Sequence, residues 1–426
     1  MIYLLILFVF IFLTTMILLI PKHGYNSFLI TFSLFWFVHI PTGEQLFLFN
    51  LTFFDVFLVF SVFRKLLKRV PVKSYSIKHI LICYYILIFI GLVSLLLFSD
   101  DLKFGFYYLR SSLILPLLIL LLFINYIDDL NKFNTVYKFF NLGVLLFSAF
   151  LLLNFLFDGF IGSNDYNLNR LGGVPSFPFG NWGYVGSVQL ASLYSVIFAF
   201  FIPYWIPNIT KSLTSTINLF FMLLIIFLAG SRGAYITITI VIILYFIKNI
   251  GFKSYFTLII ITGLFLTLTR NFSDKINQSE RIDTLSTLDE DSSFLYRIQM
   301  IQVGYETLKK SPQGIGFGRE NRITNNEHNI YVFIGLGTGL IGLIIYLYSF
   351  FLIKKTINIT RKFTCTEKEK QILFGGKLAI IAILINGLSD SIVMESFQSI
   401  GIFICFGFVL SLCNYKIVTN KINISK

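Results

Sequence analysis

The chain has 426 residues, of which 56% are hydrophobic and only 13% are charged, and its formal net charge is +13. Apolar runs of roughly 20 residues recur from one end to the other, and each can cross a bilayer as a helix. This composition excludes a soluble protein. Because the basic residues cluster in loops between the runs, their charge indicates membrane topology rather than nucleic-acid binding.

The apolar runs predict thirteen spans, within a range of about 12–14. They lie near residues 2–20, 27–40, 46–63, 80–98, 107–126, 136–157, 186–206, 213–230, 233–250, 254–269, 330–353, 372–390 and 396–415. We therefore predict an all-α, polytopic helical membrane protein that forms one integral membrane domain over residues 1–426. The first run is expected to be an anchor, since it lacks the basic start of a cleaved signal.

The short loops predict the orientation of the spans, because Lys and Arg collect on the cytoplasmic side. Six basic residues and no acidic residue lie between the spans at 46–63 and 80–98, and six more basic residues follow the span at 330–353. Both loops are expected inside. Residues 158–185 and 270–329 are then two long external loops, and long loops usually carry function.

The second external loop carries eight basic and nine acidic side chains over its 60 residues. Its pattern predicts an amphipathic helix near 293–310 that ends before Pro312. The apolar residues on one face of this helix are Phe294, Ile298, Ile301, Tyr305 and Leu308. We expect the helix to lie across the outer mouth of the bundle.

Arg232 is the only charged residue between Ile217 and Ile247. One helix over this stretch would be about 46 Å long, which exceeds a hydrocarbon core of about 30 Å, so the chain must turn at Gly230–Gly233. The turn is expected to be recessed below the outer surface. Arg232 then opens a helix, where backbone N–H groups and the helix dipole favour an anion. The alternative is an interfacial arginine that reaches a lipid phosphate.

Other external residues could complete an anion site. Arg170 precedes a loop rich in Gly and Pro, and Arg297 lies in the first turn of the amphipathic helix. With Arg232 they would form a guanidinium cluster suited to phosphate oxygens, although each alone is consistent with an ordinary surface arginine. His328, at the start of the span at 330–353, could accept a proton or could be a loop histidine bonded to backbone. Further candidates for substrate contacts are Arg319, Arg322 and Asn329.

Other features are weaker candidates. The glycines at 335, 337, 339 and 342 fit helix packing better than ligand binding. Asp390 and Glu395 flank a tight outer turn, and the acidic triplet Asp289–Asp291 is interpreted as solvated surface. The sequence lacks a phosphate-binding loop with a lysine, a zinc-protease motif and a nucleophile elbow. We predict no metal and no cofactor.

Three motifs together resemble the O-antigen ligase and O-antigen polymerase superfamily of bacterial envelope glycosyltransferases. In order, they are FLAGSRGAYITITIVIILY, YRIQMIQVGYETLKKSPQGIGFG and EHNIYVFIGLGTGLIGLIIYL. The similarity covers roughly residues 160–350, and the first 150 residues share only hydropathy with the family.

The resemblance implies a membrane-embedded glycosyltransferase fold of the GT-C-like type in the bacterial inner membrane, with its active side in the periplasm. It implies a lipid-linked oligosaccharide donor on undecaprenyl pyrophosphate. Arg232 and Arg297 match family arginines that hold the pyrophosphate, and His328 matches a histidine near the acceptor. Arg170 fits an Arg-G-x-x-x-P pattern, but the Pro-Asn pair expected after it is missing.

The same resemblance leaves the acceptor open. A polymerase transfers the glycan to another lipid-linked repeat unit and can work with a chain-length-regulating co-polymerase, whereas a ligase transfers it to lipid A core. The divergent first third favours a polymerase. A flippase for lipid-linked oligosaccharides is the alternative from another class, but the sequence lacks the internal symmetry that is typical of transporters.

Overall fold

The computed structural model describes residue 58 and residues 74–156, 187–248, 292–318, 329–363, 365–390 and 396–424. All regular structure in these residues is helical. The helices are α1 (Tyr75–Phe98), α2 (Leu102–Leu109), a π-helical turn (Arg110–Ile114), α3 (Leu115–Tyr126), α4 (Leu130–Leu156), α5 (Ser187–Asn208), α6 (Leu213–Ala229), α7 (Arg232–Lys248), α8 (Ser292–Lys310), α9 (Ile330–Thr360), α10 (Glu367–Asn386) and α11 (Ser396–Ile424).

Six segments of the described part are long and apolar enough to cross a membrane: Tyr75–Phe98, Leu102–Tyr126, Leu130–Leu153, Val188–Asn208, Ile330–Thr360 and Gln398–Asn420. The prediction of an all-α, polytopic membrane protein is confirmed. The predicted spans at 2–20, 27–40, 46–63 and 254–269 lie outside the described residues, except for residue 58, so the total of about 12–14 stays a prediction.

Several helices extend beyond the predicted apolar runs because polar residues cap their ends. Asp101 accepts hydrogen bonds from the N–H groups of Lys103 and Phe104, each at 3.1 Å, so α2 begins five residues before the predicted span. Thr366 and Glu369 form a reciprocal cap at the start of α10. These caps satisfy backbone donors that have no partner within the helix.

Aromatic packing around Phe408 of α11 joins four segments of the bundle. Its ring centroid lies 5.0 Å from that of Phe123 on α3, 5.5 Å from Tyr137 on α4 and 6.2 Å from Phe200 on α5. Such pairs add specific geometry to apolar burial. The core therefore sits where α3, α4, α5 and α11 meet.

Glycine contacts fix the direction in which neighbouring helices run. A Cβ on Gly375 of α10 would lie 2.0 Å from the carbonyl oxygen of Phe200, so α10 and α5 approach through their backbones. Asn386, at the other end of α10, donates to Ser195 Oγ at 2.6 Å. The residue numbers rise from 375 to 386 along α10 while those of their partners fall from 200 to 195 along α5, so the two helices are antiparallel. The α6–α7 turn contacts Ser389 and the start of α9 bonds Gly387, so both lie with the end of α10 at one end of the bundle, which we call the site end.

A glycine-rich segment after α8, residues 311–318, enters the bundle and interrupts α9. Gly339 has φ 75° and ψ 176°, a conformation outside the helix and open chiefly to glycine. The N–H of Leu340 donates to Pro312 O, and the N–H of Ile315 donates to Leu336 O, both at 2.8 Å. The segment thereby satisfies backbone groups that the break in α9 releases. Of the glycines expected to serve packing, Gly335 and Gly337 pack against Leu308 and Phe317, whereas Gly339 forms the break in the helix.

Candidate functional site

The turn between α6 and α7 has the geometry expected from its glycines. Gly230 adopts φ 66° and ends α6, and Ser231 is buried just before α7. Ser231 Oγ accepts from the N–H of Ala234 at 3.5 Å. Arg232 is the first residue of α7 and is half-buried.

The length of α6 bears on the depth of this turn. α6 has 17 residues and is about 25 Å long, which is shorter than a hydrocarbon core of about 30 Å. This length agrees with the expectation of a recessed turn.

The turn between α10 and α11 packs directly against the first turn of α7. A Cβ on Gly233 would lie only 2.0 Å from Ser389 Oγ, so the glycine allows the two turns to touch. Asp390 follows Ser389 and is only 3% exposed. A buried carboxylate therefore lies next in the chain to the residue that contacts Gly233.

The start of α9 is fixed to the same turn. Asn329 accepts from the N–H groups of Tyr331 and Val332, at 2.9 and 3.1 Å, and donates to Leu388 O at 3.1 Å. The N–H of Ile330 donates to Gly387 O at 2.9 Å. Asn329 is a predicted substrate contact. Its side chain makes the bonds to Tyr331, Val332 and Leu388, so it caps α9 and joins it to the end of α10.

Arg297 lies on α8, which packs against the first turns of α9. A Cβ on Gly304 would lie 2.2 Å from a methyl group of Val332, and Leu308 contacts Gly335, so α8 and α9 run in the same direction here. Arg297 precedes Gly304 by seven residues and shares its face, about 10 Å further along the axis. Since α9 begins only two residues before Val332, Arg297 lies beyond the start of α9, at the site end.

The packed face of α8 coincides only in part with the predicted apolar face. Leu308 of that face packs on α9, whereas Ile298 and Tyr305 are 39% and 62% exposed. Gly304 makes the closest contact, because a residue without a side chain lets α8 approach α9 more closely than a tyrosine or an isoleucine would.

The remaining predicted site residues, Arg170, Arg319, Arg322 and His328, lie outside the described residues. Two of them directly adjoin described positions in the chain. His328 precedes Asn329, and Arg319 follows Gly318, which packs against the backbone of Asp101 and Gly105 at the start of α2. Among the predicted residues, the structure therefore brings Arg232, Arg297 and Asn329 to one end of the bundle.

Arg110 is absent from the predicted residues, yet the structure buries it at the same depth. It is 3% exposed, begins the π-helical turn, and lies 5.1 Å from the ring of Tyr107. The rings of Phe123 and Phe408 meet edge to face; Arg110 lies thirteen residues before Phe123, and Ser396, the first residue of α11, lies twelve residues before Phe408. The sequence could have identified Arg110 as a candidate, because it interrupts an apolar run as Arg232 does. An ionisable residue inside a span indicates function.

A comparison with curated proteins finds no matching sequence. Residues 217–347 match a family model described as O-antigen ligase. Members of this family are glycosyltransferase-like enzymes. The matched range contains the α6–α7 turn, all of α8 and the start of α9. Over this part of the chain, the match supports a relation to the O-antigen polymerase and ligase superfamily.

Proposed function

We propose that the protein is a glycosyltransferase that takes a glycan from undecaprenyl pyrophosphate and joins it to a hydroxyl of a second lipid-linked repeat unit. The transfer takes place on the periplasmic side of the bacterial inner membrane. The donor reaches the site end from the bilayer, and Arg232 and Arg297 hold its pyrophosphate.

The observation that carries this proposal is the contact of three separate chain segments at the α10–α11 turn. Gly233 packs on Ser389, while Asn329 bonds to Leu388, so the helix that Arg232 opens and the helix that follows His328 share one support. α8 adds Arg297 at the same end. Two positive charges and a proton acceptor are what a pyrophosphate-linked donor requires.

The arginines stabilise the charge that develops on the leaving group. In the transfer, the bond between the anomeric carbon and the pyrophosphate oxygen breaks, and its electron pair stays on the pyrophosphate. Guanidinium groups bind phosphate oxygens in bidentate geometry, and their effect is larger in a recessed site that excludes water. The N-terminus of α7 adds backbone N–H donors to Arg232.

The acceptor hydroxyl attacks the anomeric carbon and loses its proton. We assign this proton to His328, which precedes Asn329 at the start of α9. Asp390, buried beside the same turn, supports the positive charge that His328 gains. One displacement inverts the configuration at the anomeric carbon, so we expect inversion. Arg170, Arg319 and Arg322 are proposed as further contacts to the pyrophosphate or the glycan.

A ligase is the second candidate, because the matched family model carries that description. The donor chemistry would be the same, and lipid A core would be the acceptor. We favour the polymerase because the first 150 residues share only hydropathy with the family, and divergence in the first third is typical of polymerases. A chain-length-regulating co-polymerase is the expected partner.

Chain growth from one substrate tests the proposal. Purified protein in proteoliposomes is supplied with a lipid-linked repeat unit alone, and the products are separated by size. A polymerase gives a ladder of longer glycans together with free undecaprenyl pyrophosphate. The anomeric configuration of the new bond then reports inversion or retention.

Two results would contradict the polymerase. Product that forms only after lipid A core is added would identify a ligase. Movement of the intact lipid-linked unit between leaflets, without a new glycosidic bond in either assay, would identify a flippase and overturn glycosyl transfer altogether.

A further inference from the structure

Four basic side chains from three segments lie in the half of the bundle that faces away from the site end. Lys248 is the last residue of α7, Lys354 lies near the end of α9, Arg361 follows α9, and Lys377 lies on α10. We call these residues the basic cluster. Two contacts bring them together, since Lys248 lies against Phe374, one turn before Lys377 on α10, and Lys377 donates to Asn358, which lies between Lys354 and Arg361 in the chain.

Contacts hold two of these lysines in place. The ammonium of Lys248 lies 3.3 Å from the ring centroid of Phe374, which is a cation–π contact. Lys377 donates to Oδ1 of Asn358, and nearby Gly376 packs against Ile357. Neither contact neutralises a charge. The two ammonium groups are therefore oriented but remain positive.

Within the residues that the structure describes, no carboxylate forms an ion pair with the basic cluster. The acidic side chains at the start of α10 are paired elsewhere, since Glu367 bonds Lys370 at 2.6 Å and Glu369 bonds Lys416 at 2.9 Å. Four like charges held together repel one another, and a bound anion would relieve that repulsion.

Exposed apolar side chains surround the basic cluster. Lys377 lies ten residues into α10, about 15 Å from its start, inside the span predicted at 372–390. Ile247 and Phe351, which neighbour the cluster in sequence, are 62% and 57% exposed. Exposed apolar side chains beside three exposed basic side chains and the half-buried Lys377 suit a ligand with a charged head and acyl chains.

We propose that the basic cluster binds the phosphate of one anionic phospholipid, such as phosphatidylglycerol, in the leaflet opposite to the candidate active site. The phosphate lies between Lys248 and Lys377, Arg361 and Lys354 approach it from α9, and the acyl chains lie along Phe351 and Ile247. This site shares no residue with the glycosyltransferase site.

Native mass spectrometry of the full-length protein with defined lipids tests this site. Wild-type protein is expected to retain phosphatidylglycerol in preference to phosphatidylcholine. The double variant Lys248→Gln with Lys377→Gln is expected to bind phosphatidylglycerol about tenfold more weakly, because two charge-assisted contacts to phosphate are lost. The variant Lys248→Arg, which keeps the charge, should retain binding.

The matched control removes two exposed lysines at the same membrane end, Lys138→Gln with Lys211→Gln. Equal loss of phosphatidylglycerol in the control and the cluster variant would show a general charge effect and overturn the site. Displacement of the lipid by millimolar inorganic phosphate would show that the cluster binds free phosphate instead. Thermal unfolding of each variant establishes that it is folded, and the readout is independent of glycan transfer.

Discussion

Replacing Arg232 with alanine is expected to lower the rate of glycan transfer by roughly 10²- to 10³-fold, which is typical for the loss of one charged or hydrogen-bonding group that stabilises a developing anion. The protein should remain folded in the membrane, because Gly230, Ser231 and Gly233 define the turn and keep their contacts. The measurement is the initial rate of product formation from the lipid-linked donor.

One further variant separates charge from geometry at Arg232, and a second variant is a control at a different residue. Arg232→Lys keeps the positive charge but loses the planar fork that matches phosphate oxygens, so it should recover only a small part of the rate. Lys211→Ala, which removes an exposed charge from the α5–α6 turn, should leave the rate unchanged. Full activity of Arg232→Ala would exclude a role for this arginine in holding the leaving group.

Replacing Gly339 with alanine is expected to displace the segment 311–318 and to abolish most of the activity. The conformation of Gly339 costs other residues about 1–3 kcal/mol. A Cβ there would also lie 2.6 Å from the carbonyl group of Gln313, which belongs to backbone that cannot move aside. Because this segment connects α8 to the bundle, its displacement moves Arg297 away from the site end.

The effect of Gly339→Ala should appear in two measurements. The midpoint of thermal unfolding in detergent should fall, and proteolysis should cut within residues 311–318 more rapidly. Gly335→Ala is the matched control in the same helix, since its Cβ would meet only the flexible end of Leu308 at 3.0 Å. A Gly339→Ala protein as stable and active as Gly335→Ala would contradict the proposed role of the break.

The helices of the described part could be predicted from hydropathy, because each apolar run must satisfy its backbone internally in lipid. The predicted span at 213–230, for example, is a helix over Leu213–Ala229. Helix ends were less accurate, since polar caps such as Thr366 extend helices beyond the apolar run. The interruption of α9 could not be predicted, because it depends on residues 311–318 entering from a distant part of the chain.

Only part of the candidate site could be predicted, because some of its contacts also join distant parts of the chain. Arg232 could be predicted because it is a charge within an apolar run. The turn around it could be predicted because the run is too long for one membrane-spanning helix. The support that Ser389 gives to Gly233 is a contact between segments more than 150 residues apart, which no local pattern encodes. Asp390 was therefore ranked low, although the structure buries it beside the turn.

The most direct test is whether Arg232 and Arg297 hold the same pyrophosphate. Binding of undecaprenyl pyrophosphate to purified protein would be measured for the wild type, Arg232→Ala, Arg297→Ala and the double variant. We predict that each single change weakens binding at least about tenfold and that the double variant loses less than the sum, since residues that share a ligand are coupled. Unchanged binding in either single variant, or strictly additive losses, would contradict a shared pyrophosphate site.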